Sequence, residues 1–156
     1  MKIKLIAFGD KMPSWVNEGF KEYQGRLKAE LSLELKELAL KKRADERQLK
    51  KIREEEDKLI LEELKKGSYF VVLDERGKNY SSLELAQRLK FWQDNFSQIS
   101  LLIGSPEGIS PEIKALANES WSLGKLTLPH PLVRIVVAEA LYRAWSINKN
   151  HPYHRE

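Results

Sequence analysis

The chain has 156 residues, no cysteine, 42% hydrophobic residues and a net charge of +4. That length and apolar content suit one domain with its own core, and the missing cysteine excludes a disulfide framework, a thiolate nucleophile and thiolate-bound zinc. No apolar run approaches the roughly 20 residues that cross a bilayer, and Met1-Lys2-Ile3-Lys4 leads into a strand pattern rather than a signal-peptide core, so a cytoplasmic protein is expected, with a basic excess that leans toward a polyanionic partner.

Lys2 to Phe8 alternates weakly and predicts a strand, and Pro13-Ser14 opens a helical pattern carried by Trp15, Val16, Phe20 and Tyr23. Leu31, Leu33 and Leu35 alternate over a second strand. From Ala44 to Lys66 the chain is charged, with Leu49, Ile52, Leu59, Ile60 and Leu64 at helical spacing, which predicts an amphipathic helix ended by Gly67. Strands are then expected from Tyr69 to Leu73, Ile99 to Ile103 and Leu123 to Leu128. Helices are expected from Ser81 to Asn95, with Ser81 or Ser82 as cap, from Ser110 to Asn118, and from about Leu132 to Asn148. Apolar strands separated by helices predict an α/β fold: one domain over 1–156 with a mostly parallel sheet and helices on both faces.

In such sheets ligands gather beyond the carboxyl ends of the strands. Three turns are candidates: Leu73-Asp74-Glu75-Arg76-Gly77, Gly104-Ser105-Pro106-Glu107-Gly108 and Leu128-Pro129-His130-Pro131. Gly104 and Gly108 allow a left-handed backbone and close approach of a ligand, and Pro106 stiffens the turn. Each turn taken alone is also what chain reversal requires. Neither Gly-x-Gly-x-x-Gly nor Gly-x4-Gly-Lys-Ser/Thr occurs, which argues against dinucleotide binding and nucleotide hydrolysis. His151 and His154 flank Pro152 without a nearby carboxylate pair, so no metal site is expected. Lys41-Lys42-Arg43 with Arg47, Lys50, Lys51 and Arg53 suits RNA phosphates, and equally a solvated helix face paired to Glu54 and Glu55. The end, His151-Pro152-Tyr153-His154-Arg155-Glu156, gathers an aromatic ring, two imidazoles and a guanidinium, a set suited to stacking on a base and stabilising negative charge.

Several blocks together resemble one family over nearly the whole chain: Lys11-Met12-Pro13, Ser120-Trp121-Ser122-Leu123, Leu126-Thr127-Leu128-Pro129-His130-Pro131-Leu132-Val133-Arg134, the helix Ala138 to Ile147, and His151 to Glu156. The chain is similar to the SPOUT, or α/β-knot, methyltransferases, in particular the bacterial family that methylates N(3) of a pseudouridine in large-subunit ribosomal RNA. The family usually reads Gly-Gly-Pro-Glu-Gly where this chain has Ser105 second; a left-handed backbone there would strain serine.

The resemblance implies a C-terminal trefoil knot, a homodimer, ribosomal RNA in the ribosome as partner, and S-adenosyl-L-methionine bound at Leu73, Gly104, Leu123, Gly124, Lys125, Leu126, Thr127 and Leu128. A homodimer is also suggested by the last helix, where Ile135, Val136, Val137, Leu141, Trp145 and Ile147 are more apolar surface than one covering layer uses. The acceptor N–H sits between two carbonyls and must lose its proton, so a base or a cation is required. His154 is the candidate proton acceptor, Arg155 and Arg143 the candidate stabilisers of carbonyl charge, and Tyr153 the candidate positioning group. Arg143 reads equally as a cation answering the helix macrodipole. The alternatives are a non-catalytic ribosome-binding protein and a SPOUT enzyme acting on transfer RNA.

Overall fold

A computed structural model describes residues 1–27, 30–41 and 45–155; Lys42, Arg43, Ala44, Glu156 and the Arg155 side chain, all part of the expectations above, lie outside the described residues. The first strand, β1 (Lys2–Phe8), is buried from Leu5 to Phe8 on both faces, as a central strand of a parallel sheet must be. Pro13, with φ −54°, stands at the entry to α1 (Ser14–Arg26), and Met12 packs on Gly9, where a Cβ would come within 2.6 Å of its Cε. The edge strand β2 (Ser32–Leu38) follows, with Leu33 and Leu38 buried.

Asp45 caps a 3-10 turn at Glu46–Gln48, accepting from Arg47 N–H at 2.9 Å, and α2 (Leu49–Glu63) follows with Ile52 and Ile60 inward. The helix is shorter than the charge pattern predicts: it stops at Glu63, and Gly67 turns the chain at φ +80°. Strand β3 (Tyr69–Asn79) leads to α3 (Ser82–Asn95), where Ser81 and Glu84 form a reciprocal capping box. Strand β4 (Gln98–Ile103) is almost wholly buried, and α4 (Pro111–Leu116) starts on the Ser110 hydroxyl. The chain closes with β5 (Glu119–Ser122), α5 (His130–Asn148) and a 3-10 turn at Pro152–Arg155.

The five strands lie in the order β2-β1-β4-β3-β5, and every pairing is parallel. One face packs on α1, α3 and α5 around Leu5, Phe20, Leu89, Trp92 and Leu141. The other packs on α2 and α4 around Ile6, Phe8, Ile60, Val72, Leu102 and Ile113. Helices thus cover both faces, as the alternating pattern predicts.

Three further expectations need correction. The strand expected from Leu123 to Leu128 lies earlier, at Glu119–Ser122; Asn118 already pairs with Phe70, and Gly124 at φ +125° turns the following segment out of the sheet. Asp74 to Gly77 is an excursion within β3 rather than a turn after it: Leu73 and Lys78 both pair with Trp121, and the residues between them bulge outward. The last helix begins earlier than expected, at His130, because Pro129 and Pro131 fit the entry to a helix where no N–H is needed.

The short edge strand β5 is held by its first residue. Glu119 takes a bidentate pair from Arg88, at 2.9 Å to Oε1 and 2.7 Å to Oε2. It also accepts from Tyr80 at 2.6 Å, Tyr69 at 2.9 Å and the Trp92 indole at 3.1 Å. Burial pushes its acidity toward the neutral acid, but these donors outweigh it and hold the carboxyl below the usual carboxylate range. The network fixes β5, and with it the loop that follows, against α3 and β3.

Candidate active site

Because β4, β3 and β5 are adjacent and parallel, their carboxyl ends open on the same side. The segments leaving them border an open cavity of about 810 Å³, within the range of small-molecule sites. Leu73, Gly104, Leu123, Gly124, Leu126, Thr127 and Leu128 all line it. Lys125, expected with them, is exposed and not among the lining residues. Arg53, Ile109, Lys114, Trp121, His130 and Val133 are among the other residues of the wall.

The glycines contribute in different ways. Gly108 at φ +84° and Gly124 at φ +125° adopt backbone that L side chains avoid. Gly104 does not: a Cβ there would meet Ile109 Cγ1 at 2.5 Å, so its constraint is packing within its own loop. Gly77 closes the first candidate turn of the sequence, and its constraint is packing: a Cβ would come within 2.8 Å of the Ser120 and Trp121 backbone, so the excursion in β3 closes on β5 only with glycine. Ser105 escapes the strain considered for it, since Asn150 alone among the described non-glycine residues has a left-handed φ.

His130, in the first turn of α5, faces the backbone carbonyls of Gly104 and Ser105. Burial, with a smaller push from Arg134, lowers its affinity for a proton and favours the neutral imidazole. Arg134, one turn further along α5, is fully buried and fastens the start of the helix to the ends of β1 and β2: it pairs with Glu37 at 2.8 Å and donates to the Phe8 and Gly9 carbonyls, each at 3.3 Å. Asp74 pairs with Lys114 at 3.1 Å across the mouth. Burial opposes its ionisation, but the Arg76 N–H and Lys114 hold it below the usual carboxylate range.

The cavity suits S-adenosyl-L-methionine: leucines, Ile103 and Val133 offer an apolar bed for an adenine, and glycines in left-handed backbone bare peptide groups for its polar edge. Arg53 also lines the wall and places a cationic side chain there, its Nε enclosed without a partner.

The tail residues sit elsewhere. His151 N–H donates to the Ser146 carbonyl at 2.8 Å, turning the chain back along α5, and Tyr153 N–H donates to His151 Nδ1 at 3.2 Å. The Tyr153 ring packs edge-on against Tyr142 with centroids 4.5 Å apart, with the Arg143 guanidinium 5.0 Å from its centre. Burial, then the bond to Glu139, keeps its hydroxyl protonated. Arg143 is ion-paired to Glu139 at 2.7 Å and lies outside the last turn of α5, so it does not answer the macrodipole as one reading had it. His154 is half-buried, and its Nδ1 is enclosed without a partner.

Val133 lines the cavity and Arg143 carries the tail, and between them α5 rises about 15 Å. Within one chain, therefore, the expected cofactor residues other than Lys125 come together at the cavity, and Arg143 and Tyr153 come together further along α5, but the two groups do not meet. Among the described residues no group of three or more His, Cys, Asp or Glu is arranged to hold a metal, and no helix is long and apolar enough to cross a membrane.

A family model described as "Predicted SPOUT methyltransferase" matches residues 1–154. A curated relative from Dichelobacter nodosus, named Ribosomal RNA large subunit methyltransferase H, is 59% identical over 155 residues, covering 99% of both chains. The parallel sheet, the cavity beyond three strand ends and these two matches agree, and the chain belongs to the SPOUT methyltransferase family.

Proposed function

We propose that this protein is a single-domain, S-adenosyl-L-methionine-dependent methyltransferase of large-subunit ribosomal RNA, acting in the cytoplasm on N(3) of a pseudouridine in assembled ribosomes. The observation that carries the reading is the open, glycine-rimmed cavity at the ends of β3, β4 and β5, in a chain 59% identical to a relative named as a large-subunit ribosomal RNA methyltransferase. The trefoil knot belongs to the same reading.

When bound, the sulfonium cofactor supplies a methyl group that is already electrophilic. The residues lining the cavity would hold the cofactor and orient its methyl toward the acceptor nitrogen, and such positioning would lower the barrier by removing the entropy of encounter. His154 would accept the proton that N(3) gives up as the new N–C bond forms and the methyl's bond to sulfur breaks, its electron pair staying on sulfur as the neutral thioether leaving group. Arg155 and Arg143 favour the anion spread over the flanking carbonyls, and Tyr153 sets the tail's position.

A tail that acts on the base must reach a cavity that its own chain holds about 15 Å away along α5. A second copy resolves this: in a homodimer the tail of one subunit serves the cavity of the other. Val137 and Leu141 fill the core, while Ile135, Val136, Trp145 and Ile147 remain half-exposed on α5 and Leu126 is 83% exposed at the cavity rim, apolar surface that a second copy would cover.

The test is methyl transfer from labelled S-adenosyl-L-methionine to transfer RNA, naked ribosomal RNA, isolated subunits and whole ribosomes in parallel, followed by mapping of the modified nucleotide. Label on N(3) of a large-subunit pseudouridine, strongest with ribosomes, is the expected result. Transfer to transfer RNA alone, or ribosome binding without transfer, contradicts the reading.

A further inference from the structure

One face of α2 presents Arg53, Glu56 and Asp57 together, at i, i+3 and i+4 spacing. Each meets a different residue of the loop joining β4 to α4. The Arg53 guanidinium donates to the Glu107 carbonyl. The Glu56 carboxyl lies against the Ser105 hydroxyl. The Ser110 hydroxyl donates to Asp57 Oδ2 at 2.7 Å and accepts from Ile113 N–H at 3.2 Å, so Asp57 also orients the cap of α4. Within the loop, Ser105 closes the turn: its carbonyl accepts from Gly108 N–H at 2.8 Å and its hydroxyl from Glu107 N–H at 3.3 Å.

Stability alone does not account for Glu56. It is 4% exposed, and its Oε1 has no hydrogen-bond partner, as is also true of Arg53 Nε. A carboxyl buried with an open acceptor costs folding energy that an apolar side chain of similar size would not. Burial, with Glu107 and Asp57 nearby, favours its neutral form over the opposing pull of Ser105 and Arg53. What Glu56 gains in return is a hold on Ser105, one residue beyond Gly104 in the cavity wall.

We propose that α2 sets the shape of the cavity loop through these three contacts, and that Glu56 and Asp57 are positioning residues for cofactor binding although neither lines the cavity. The proposal rests on the reading of that cavity as the S-adenosyl-L-methionine site.

The test compares Glu56→Leu, Glu56→Gln and Asp57→Ala with the unmodified full chain, by calorimetric titration with S-adenosyl-L-methionine and by hydrogen exchange of the Glu107 and Gly108 amides in the cofactor-free protein. Glu56→Leu and Asp57→Ala are expected to weaken cofactor binding by about tenfold, the scale of one lost polar contact, and to lower protection of both amides. Turnover at saturating cofactor stays within about twofold, since groups remote from the reacting atoms change binding rather than the chemical step. Glu56→Gln, which keeps the shape and the polar contact, restores affinity. If Glu56→Leu does not fold, Asp57→Ala carries the test. Unchanged affinity and protection in a folded Glu56→Leu or Asp57→Ala variant overturns the proposal. If the unmodified protein fails to bind S-adenosyl-L-methionine, the assignment of the cavity falls instead, and the amide protection shows separately whether α2 holds the loop.

Discussion

Tyr153 and Glu139 are joined by a hydrogen bond of 3.0 Å from the phenol to Oε1, the same oxygen that accepts from Arg143 Nε at 2.9 Å. The bond fastens the tail to α5 and occupies the Tyr153 hydroxyl. Tyr153→Phe keeps the ring contacts with Tyr142 and Arg143 and removes only the hydroxyl's polar contacts, this bond and that with Tyr23 among them, so methyl transfer should fall by no more than about tenfold. Tyr153→Ala loses the ring as well and should cost ~10²-fold through misplacement of the tail. Single-turnover rates at saturating cofactor measure both; a Phe variant as impaired as the Ala variant would put the hydroxyl in the chemistry.

His154 and Arg155 carry the proton and charge transfer in the proposed reaction. Their double alanine variant should lose methyl transfer by ~10²-fold or more, the scale of a missing acid–base or charge-stabilising group. Cofactor affinity should stay unchanged, because no described tail residue is among those that line the cavity and the tail's proposed role is on the base. Some of the loss should appear as weaker ribosome binding with a shallower salt dependence, since a cation facing a polyanion is removed. Normal turnover in that variant would remove the tail from the mechanism.

The Glu119 network gives a pH signature. Its carboxyl is held below the usual carboxylate range despite burial, so its contribution to stability is present above the unfolded value of about 4.3 and is lost as pH falls through the lower folded value. Thermal unfolding from neutral to acid pH should show this loss, and Glu119→Gln should flatten that part of the curve. Removing the carboxyl entirely, in Glu119→Ala, leaves Arg88 and two phenols without their shared acceptor and should cost about 3 kcal/mol or more. Parallel curves for the Gln variant and the unmodified protein would assign the acid sensitivity elsewhere.

Gly77→Ala tests the closure of the excursion in β3. The added carbon meets the β5 backbone rather than a movable side chain, so the strands must separate, at a cost of about 1–3 kcal/mol. Cofactor binding should weaken with it, because Trp121 and Ser122 line the cavity. Calorimetry and thermal unfolding of this variant should change together; a loss of neither would contradict the close approach.

The sequence disclosed the periodic elements well and the excursions poorly. β1, α3 and β4 follow directly from apolar spacing and from a Ser81–Glu84 cap that is local in the chain. The strand placed at Leu123 to Leu128 failed because alternating leucines signal a strand or an apolar cavity wall alike, and only the backbone at Gly124 distinguishes them. The constraint on Gly77 was hidden because it is the approach of β5, more than forty residues further along the chain. Arg53 was read with a basic surface and instead reaches the cavity wall, a placement set by tertiary packing. The tail's composition pointed to its residues as a unit, but nothing in spacing could reveal that it folds back on α5 away from the cavity.

The most direct measurement mixes two variants. One lacks Tyr153 to Glu156 and keeps its cavity; the other carries Gly104→Val, which drives Ile109 into the loop and blocks the cavity while leaving the tail intact. Each alone should transfer almost no methyl group to ribosomes. After joint refolding or exchange of subunits, with heterodimers verified by mass, methyl transfer should return, because one subunit supplies the cavity and the other the tail. Verified heterodimers that remain inactive would contradict the account, since cavity and tail would then have to act within one chain.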